Sequence, residues 1–137
     1  MRIAKTVEQI ITQHRESGYY FTVEGVQCFA LDYGKGQPVL CLHGVPTSSF
    51  LYRKVLNALK NLGMRGISID LPGLGLAQRP EDFNYSFPGF TAFCAKAVDV
   101  LKLDKFHLVV HDIGGPIGFA MAAQMKERIL SLTILNT

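Results

Sequence analysis

The fold of this chain is decided by the stretch Val109-Val110-His111-Asp112-Ile113-Gly114-Gly115-Pro116. Residues 106–110 are apolar and β-prone, which predicts a buried strand, and residues 117–126 have the composition of a helix. Almost no loop separates the two, so Asp112 at the apex of the turn is expected to adopt a strained backbone conformation. Gly114 and Gly115 would let neighbouring backbone pass close to that residue.

Two interpretations of Asp112 follow from this turn. One is a nucleophile elbow, in which the apical side chain rises above the sheet edge and the next N–H helps to form an oxyanion hole. The other is an ordinary N-cap, because Asp is favoured immediately before a helix. The turn by itself leaves both interpretations open.

Composition narrows the class of protein. The chain has 137 residues, 48% hydrophobic and 18% charged, which is enough for one domain with a core. The net charge of +3 comes from scattered Lys and Arg, so neither a nucleic-acid partner nor a membrane partner is expected. No apolar run approaches the length of a membrane span.

The cysteines indicate the compartment. Cys28, Cys41 and Cys94 are an odd number in apolar settings, without metal-ligand spacing, so we expect reduced core residues. Residues 1–15 are polar rather than a signal peptide. The expectation is a cytoplasmic protein with no cofactor and no metal site.

The order of the predicted elements indicates the fold. Strands are predicted over residues 19–23, 26–32, 38–42, 64–70, 106–110 and 130–135, and helices over 3–16, 51–62, 86–103 and 117–126. The predicted inward residues of the second helix are Leu51, Val55, Ala58, Leu59 and Leu62, and those of the third are Phe90, Cys94, Ala97, Val98 and Leu101. The pattern predicts an α/β domain with a mostly parallel sheet and helices on both faces.

Three features converge at one edge of this predicted sheet. In parallel sheets, ligands bind beyond the carboxyl ends of the strands. The loop at residues 43–46, the loop at residues 70–75 and Asp112 all follow strands, so they should meet there. This convergence favours a functional Asp112 over an N-cap.

The same three stretches carry a resemblance to a known family. They are His43-Gly44-Val45-Pro46-Thr47-Ser48-Ser49-Phe50-Leu51-Tyr52-Arg53, Asp70-Leu71-Pro72-Gly73-Leu74-Gly75 and Val110-His111-Asp112-Ile113-Gly114-Gly115. In this order and spacing the chain resembles the α/β-hydrolase superfamily, in the aspartate-nucleophile branch that includes haloalkane dehalogenases and epoxide hydrolases. The resemblance covers the chain from about residue 20 onward. It implies an α/β-hydrolase fold in which residues 1–137 are the N-terminal part of a single domain, truncated before the lid and the last strands.

The resemblance also implies roles for individual residues. Asp112 would be the covalent nucleophile, attacking an sp³ carbon that bears a leaving group. The backbone N–H groups of Val45 and Ile113 would form the oxyanion hole for hydrolysis of the resulting ester. The residues expected to shape the site are His43, Gly44, Pro46, Gly114 and Gly115.

The chain departs from this family pattern in its general base. Such enzymes use a late His held by a carboxylate, and Asn136 stands near one position for that acid. The four histidines are poor substitutes. His14 is predicted on an outer helix, His43 in a structural hydrogen bond, His107 in the core and His111 on the far side of the turn.

Two classes of function remain open at this stage. The first is a hydrolase acting on a small apolar molecule, and the chain alone is expected to be inactive. Neither Val45 nor Ile113 has a side chain that could hold a halide, which lowers the alkyl-halide option, and the loop at residues 46–49 lowers the epoxide option. The second class is a non-catalytic binding or interaction module, favoured by the missing base. A serine esterase is weakly supported because no Ser occupies the elbow.

The last predicted strand has a consequence for assembly. Residues 130–135 are largely apolar and uncharged, and their outer edge is expected to pair with a further strand in a complete hydrolase of this family. Open apolar edges promote strand pairing between molecules. Self-association through this edge is therefore expected.

Overall fold

The computed structural model describes residue 1 and residues 3–137. Within them, six strands form one sheet in the order β1-β2-β4-β3-β5-β6. The strands are β1 (Tyr19–Val23), β2 (Val26–Tyr33), β3 (Pro38–Leu42), β4 (Arg65–Ile69), β5 (Phe106–His111) and β6 (Ile129–Leu135). The helices are α1 (Val7–Glu16), α2 (Arg53–Asn61), α3 (Phe87–Val100) and α4 (Gly114–Gln124), and a 3₁₀ turn, Ser49–Tyr52, leads directly into α2.

The sheet is mostly parallel, as the sequence predicted. Strand β3 pairs in parallel with β4 and with β5, and β5 pairs in parallel with β6. The hairpin of β1 and β2 joins the sheet through the antiparallel pairing of β2 with β4. Each strand ends within one residue of its predicted limit. The fold-class prediction is therefore confirmed.

Helices cover both faces of the sheet. In β3, Val39 and Cys41 face the cluster that contains Leu56 of α2, whereas Leu40 and Leu42 face the larger cluster built with α3 and α4. All four β3 residues are buried, which is typical of a central parallel strand with both faces covered.

The predicted inward face of α2 is wrong. Of the predicted residues, Leu59 is half-buried, and Leu51, Val55, Ala58 and Leu62 are exposed. The buried residues are instead Tyr52 and Leu56, which lie four positions apart. Tyr52 and Leu56 pack together with Val39 and Cys41 of β3, so the side of the helix that meets the sheet is set by this cluster. The Tyr52 hydroxyl also anchors this face by donating to the Leu42 carbonyl at 2.9 Å.

Helices α1 and α4 begin three or more residues away from their predicted starts. Helix α1 begins at Val7 rather than at residue 3, because Thr6 and Gln9 form a capping box there. It lies on the outside, as expected, and none of its residues is fully buried. Helix α4 begins at Gly114, three residues earlier than predicted, since the turn at Asp112 passes directly into it.

Helix α3 follows its prediction closely. Ser86 caps it by accepting a hydrogen bond from the Gly89 N–H at 3.1 Å, and its predicted inward residues are buried. The helix ends at Val100 rather than at residue 103, because Lys102 adopts a left-handed conformation with φ of +57°.

The cysteine expectation is met in the described residues. Cys28, Cys41 and Cys94 are all free and buried. Burial raises the pKa of the Cys28 thiol to about 12, because it disfavours the thiolate. Among the described helices, none is long and apolar enough to cross a membrane.

Strand β6 forms one edge of the sheet, with a pairing partner on the β5 side only. Its side chains Leu130, Ile134 and Leu135 are 47%, 54% and 42% exposed. No charged residue interrupts the strand. Such an edge offers unpaired backbone groups together with apolar contacts to a second chain.

We expect Ile134→Lys to reduce self-association of the purified chain, because a charge on an edge strand opposes pairing with another copy. Val100→Lys introduces the same side chain at a similarly exposed position on α3 and should leave association unchanged. Sedimentation velocity over a concentration series measures both. Equal association of the two variants would show that β6 is not the contact.

Substitutions at two neighbouring residues test which side of α2 packs against the sheet. Leu56→Ala should lower the free energy of unfolding by about 2–5 kcal/mol, since it empties a fully buried site. Val55→Ala should change it by less than about 0.5 kcal/mol, because that side chain is half exposed. Urea unfolding followed by circular dichroism measures both. A larger loss for Val55→Ala would support the originally predicted face.

Candidate active site

Asp112 occupies the apex between β5, which ends at His111, and α4, which begins at Gly114. Its φ is +52°, in the left-handed region that non-glycine residues rarely adopt. The strained turn expected from the sequence is therefore present. Such strain persists only when surrounding contacts determine the conformation.

The carboxylate of Asp112 is held from across the sheet. Its Oδ1 accepts a hydrogen bond from the Val45 N–H at 3.0 Å, between residues 67 positions apart. The N-cap interpretation is wrong, because Ile113 occupies the cap position of α4 and no side chain caps that helix. The backbone carbonyl of Asp112, rather than its carboxylate, accepts from the Gly115 N–H at 2.9 Å.

These backbone donors also determine the charge of the site. The N–H groups of Val45 and then Ile113 lower the pKa of Asp112, since both stabilise the carboxylate, and the nearby His111 acts in the same direction. Asp112 is therefore ionised at neutral pH. An ionised carboxylate is the form that can act as a nucleophile.

The close approach of the loop after β3 to the turn at Asp112 depends on two glycines, Gly44 and Gly114. A Cβ atom at Gly44 would lie 2.3 Å from Cβ and 2.8 Å from Oδ1 of Asp112. A Cβ atom at Gly114 would lie 2.8 Å from the Leu42 carbonyl oxygen, which is also too close. Side chains at these positions would push the Val45 loop away from the turn, so both glycines are steric requirements.

His43 is fully buried beneath the Val45 loop. Its Nε2 accepts from the Leu71 N–H at 3.1 Å, so Nδ1 carries the proton and donates to the Gly44 carbonyl at 2.9 Å. Burial lowers its pKa and keeps the ring neutral. His43 thus has the structural hydrogen bonds expected from the sequence, and it links the loops after β3 and β4.

Asp70 provides a second link that the sequence did not reveal. It is fully buried at the end of β4. One carboxylate oxygen accepts from the Ser49 N–H at 2.7 Å, and the other accepts from the Leu76 N–H at 2.8 Å. A charged residue directly after a buried strand was the available signal, because a buried carboxylate requires donors.

The other three histidines make no hydrogen bond to the Asp112 carboxylate in the described residues. His107 is half-buried rather than in the core, and its Nδ1 pairs with Ser131 Oγ at 2.7 Å. His14 on α1 is half-buried, with Nε2 3.3 Å from Ser49 Oγ. The Nδ1 atom of His111 is buried and has no hydrogen-bond partner among the described residues. In that part of the chain, no histidine hydrogen-bonds the Asp112 carboxylate.

The described residues do not bring a set of metal ligands together. No group of three or more His, Cys, Asp and Glu side chains among them is arranged to hold a metal ion. The chemistry available at this edge of the sheet is that of a carboxylate and two backbone N–H groups.

A family model described as the alpha/beta hydrolase fold matches residues 37–137. The chain therefore belongs to the α/β-hydrolase fold family. Within it, the sequence is 37% identical over 107 residues to haloalkane dehalogenase 2 of Mycobacterium tuberculosis, covering 78% of this chain and 37% of that protein. It is also 36% identical over 122 residues to a cis-3-alkyl-4-alkyloxetan-2-one decarboxylase of Shewanella oneidensis, covering 87% of this chain and 38% of the decarboxylase.

Solved structures give the same result. An epoxide hydrolase from Vigna radiata superposes with a TM-score of 0.81 at 28% identity, covering 89% of this chain and 41% of that chain. The haloalkane dehalogenase DatA from Agrobacterium tumefaciens superposes with a TM-score of 0.79 at 29% identity, covering 85% and 40%. The chain thus spans about two fifths of the length of the relatives it matches. The resemblance to haloalkane dehalogenases and epoxide hydrolases is confirmed.

The hydrogen bond from the Val45 N–H to Asp112 Oδ1 can be tested by substitution at Gly44. We expect Gly44→Ala to raise the pKa of Asp112 toward its ordinary value, because the added methyl group displaces the Val45 N–H from Oδ1. Val45→Ala retains the N–H and should leave the pKa low. Carbon-13 NMR titration of the Asp112 carboxyl group measures this pKa in both variants. An unchanged pKa in Gly44→Ala would show that the Val45 N–H does not stabilise the carboxylate.

Proposed function

We propose that this chain carries the nucleophile of a hydrolase in which Asp112 attacks an electrophilic carbon of a small apolar substrate. The observation that carries the proposal is the ionised carboxylate at the apex of the turn, with Oδ1 held by the Val45 N–H at 3.0 Å. An N-cap or an ordinary surface aspartate would not require a strained φ and a donor from a distant loop.

The first step is nucleophilic displacement. A carboxylate oxygen of Asp112 forms a bond to an sp³ carbon, the bond from that carbon to its leaving group breaks, and the leaving group takes the electron pair. The product is an ester on the side chain. The hydrogen bond from Val45 fixes the orientation of the carboxylate before attack, which lowers the entropic part of the barrier.

The second step is hydrolysis of that ester. Water adds to the ester carbonyl carbon as a base takes its proton, and the negative charge develops on the Asp112 oxygen that faces the backbone donors. The intermediate then collapses: the bond between that carbon and the oxygen bearing the substrate carbon breaks, the alcohol leaves with the proton, and the Asp112 carboxylate is regenerated. The N–H groups of Val45 and Ile113 are suited to stabilise this oxyanion, and loss of one such donor typically costs about 3 kcal/mol. A base that deprotonates the water contributes a further factor of about 10²–10⁴.

Alkyl halides and epoxides are the two substrate classes proposed. Relatives with these activities have similar identities to the chain, 29% for the dehalogenase structure and 28% for the epoxide hydrolase structure. The Val45 and Ile113 side chains offer no hydrogen-bond donor to a departing halide. The oxetan-2-one of the decarboxylase relative suggests a third electrophile, a strained cyclic ester.

A non-catalytic binding module is the second candidate. The observation that favours it is that, within the described residues, no histidine hydrogen-bonds Asp112. Both candidates predict binding of a small molecule, and only the hydrolase predicts a covalent bond to Asp112.

The three free, buried thiols support a reducing compartment, the cytoplasm, as the location of this protein.

We expect the 137-residue chain to form one covalent adduct at Asp112 when it is incubated with a reactive epoxide or bromoalkane. Turnover should stop there, because the ester is not hydrolysed without a positioned base. Intact-protein and peptide mass spectrometry measure the adduct and its site, and product assays measure turnover.

Asp112→Asn should abolish the adduct, since the amide is a far weaker nucleophile. Asp104→Asn is the matched control, because this exposed aspartate lies near the opposite end of β5. Saturable binding without any adduct would favour the binding module. Steady multiple turnover would contradict the absence of a base and require His43 or His111 to take that role.

A further inference from the structure

Helix α1 presents an apolar stripe to solvent. Val7, Ile10 and Ile11 are 74%, 38% and 43% exposed, although they lie at helical spacing on one side. Amphipathic helices of soluble domains normally bury such a stripe. In α1 only His14 is even half-buried, in contact with the Phe29 and Phe50 rings.

The stripe forms one wall of an apolar groove. The groove has a volume of about 320 Å³ and is lined by Val7, Ile10 and Ile11 on α1, with Phe50 and Leu76 among the residues opposite. His14 is the one ionisable side chain in its lining. Small-molecule sites typically have this size and this combination of apolar walls with few polar groups.

A second groove adjoins the first at the other side of His14. It has a volume of about 550 Å³ and shares Ile10, His14 and Phe50 with the apolar groove. Its lining adds Arg53 and Lys54 from the start of α2 and contains no Asp or Glu. The combined cleft is therefore apolar at one end and cationic at the other.

The cationic end of the cleft carries Arg53, which is held in place, and Lys54, and neither is paired with a carboxylate in the described residues. The Arg53 guanidinium stacks over the Phe50 ring, with Cζ 3.8 Å from the ring centroid, and Nη1 donates to the Phe50 carbonyl at 2.9 Å. The acid that raises the pKa of His14 against the larger effect of burial is Asp70, and both of its carboxylate oxygens already accept from backbone N–H groups.

We propose that this cleft binds an alkyl carboxylate, with the chain along Val7, Ile11 and Leu76 and the carboxylate at Arg53 and Lys54. The tail would cover the exposed apolar stripe of α1, and the head group would neutralise the two cations. Guanidinium and carboxylate groups form strong charge-assisted hydrogen bonds. The proposal is independent of the hydrolase function, because neither Asp112 nor Val45 lines either groove.

Decanoate is a suitable probe for the purified chain, used below its micelle concentration. We expect saturable binding by isothermal titration calorimetry, with NMR shift changes at the His14 ring and the Ile10 and Ile11 methyl groups. Decyltrimethylammonium carries a decyl chain with the opposite charge, and should bind at least about tenfold more weakly, since the lining of the head-group end contains Arg53 and Lys54 but no Asp or Glu.

The double variant Arg53→Gln with Lys54→Gln should weaken decanoate binding by at least about tenfold, because it removes both charges. Lys60→Gln is the matched control, since it removes a cation from α2 outside the lining and should leave binding unchanged. Ile11→Asn changes an exposed residue that should not affect folding, and is expected to weaken the binding of both probes. Thermal unfolding by circular dichroism verifies that each variant is folded.

Three outcomes would overturn the proposal. They are equal binding of the two probes, unchanged decanoate binding in the double variant, and shift changes confined to the apolar edge at β6. Absence of saturable decanoate binding to the unmodified chain would also overturn it. None of these results would bear on the Asp112 adduct, so the two proposals fail separately.

Discussion

The hydrogen bond from the Val45 N–H to Oδ1 of Asp112, 3.0 Å long, is the contact on which the organisation of this chain depends. It joins the loop after β3 to the turn after β5, whose strands are parallel neighbours with Leu42 paired to Val110. Parallel pairing brings the ends of the two strands to the same edge, and Gly44 allows the final approach because it has no Cβ. The φ of +52° at Asp112 is tolerated because contacts on both sides determine it.

Behind this contact, two buried polar side chains hold the surrounding loops. His43 accepts from the Leu71 N–H, and Asp70 accepts from the N–H groups of Ser49 and Leu76. Each would be costly to bury alone, but each is fully satisfied and joins segments that lie far apart in the chain. The loops on either side of Asp112 are thus held by a polar network within the protein, and solvent contacts do not determine their position.

Sequence patterns predicted the elements better than the way in which they pack. All six strands were predicted to within one residue, because each is a run of apolar or β-prone residues bounded by turn residues. The predicted inward face of α2 was wrong, since apolar periodicity within the helix does not reveal which side packs on the sheet, where Tyr52 and Leu56 join the cluster beneath β3. His107 was expected in the core, yet it is half-buried and paired with Ser131 of the neighbouring edge strand. Such errors arise where the burial of a residue depends on a helix or strand that is distant in the sequence.

The positions of the strands, the strained turn and the aspartate at its apex could be predicted from the sequence, because each depends on residues that are near one another in the chain. The glycines flanking the turn and the apolar strand before it are local features of this kind. The Val45 N–H was expected to face Asp112 from the family resemblance, and the structure supplies the distance between them. The folded chain alone reveals that Asp70 ties two loops together and that Arg53 lies beside the apolar stripe of α1. These are contacts between segments tens of residues apart, whose geometry is set by strand register and helix phase, and neither is encoded in a single stretch of sequence.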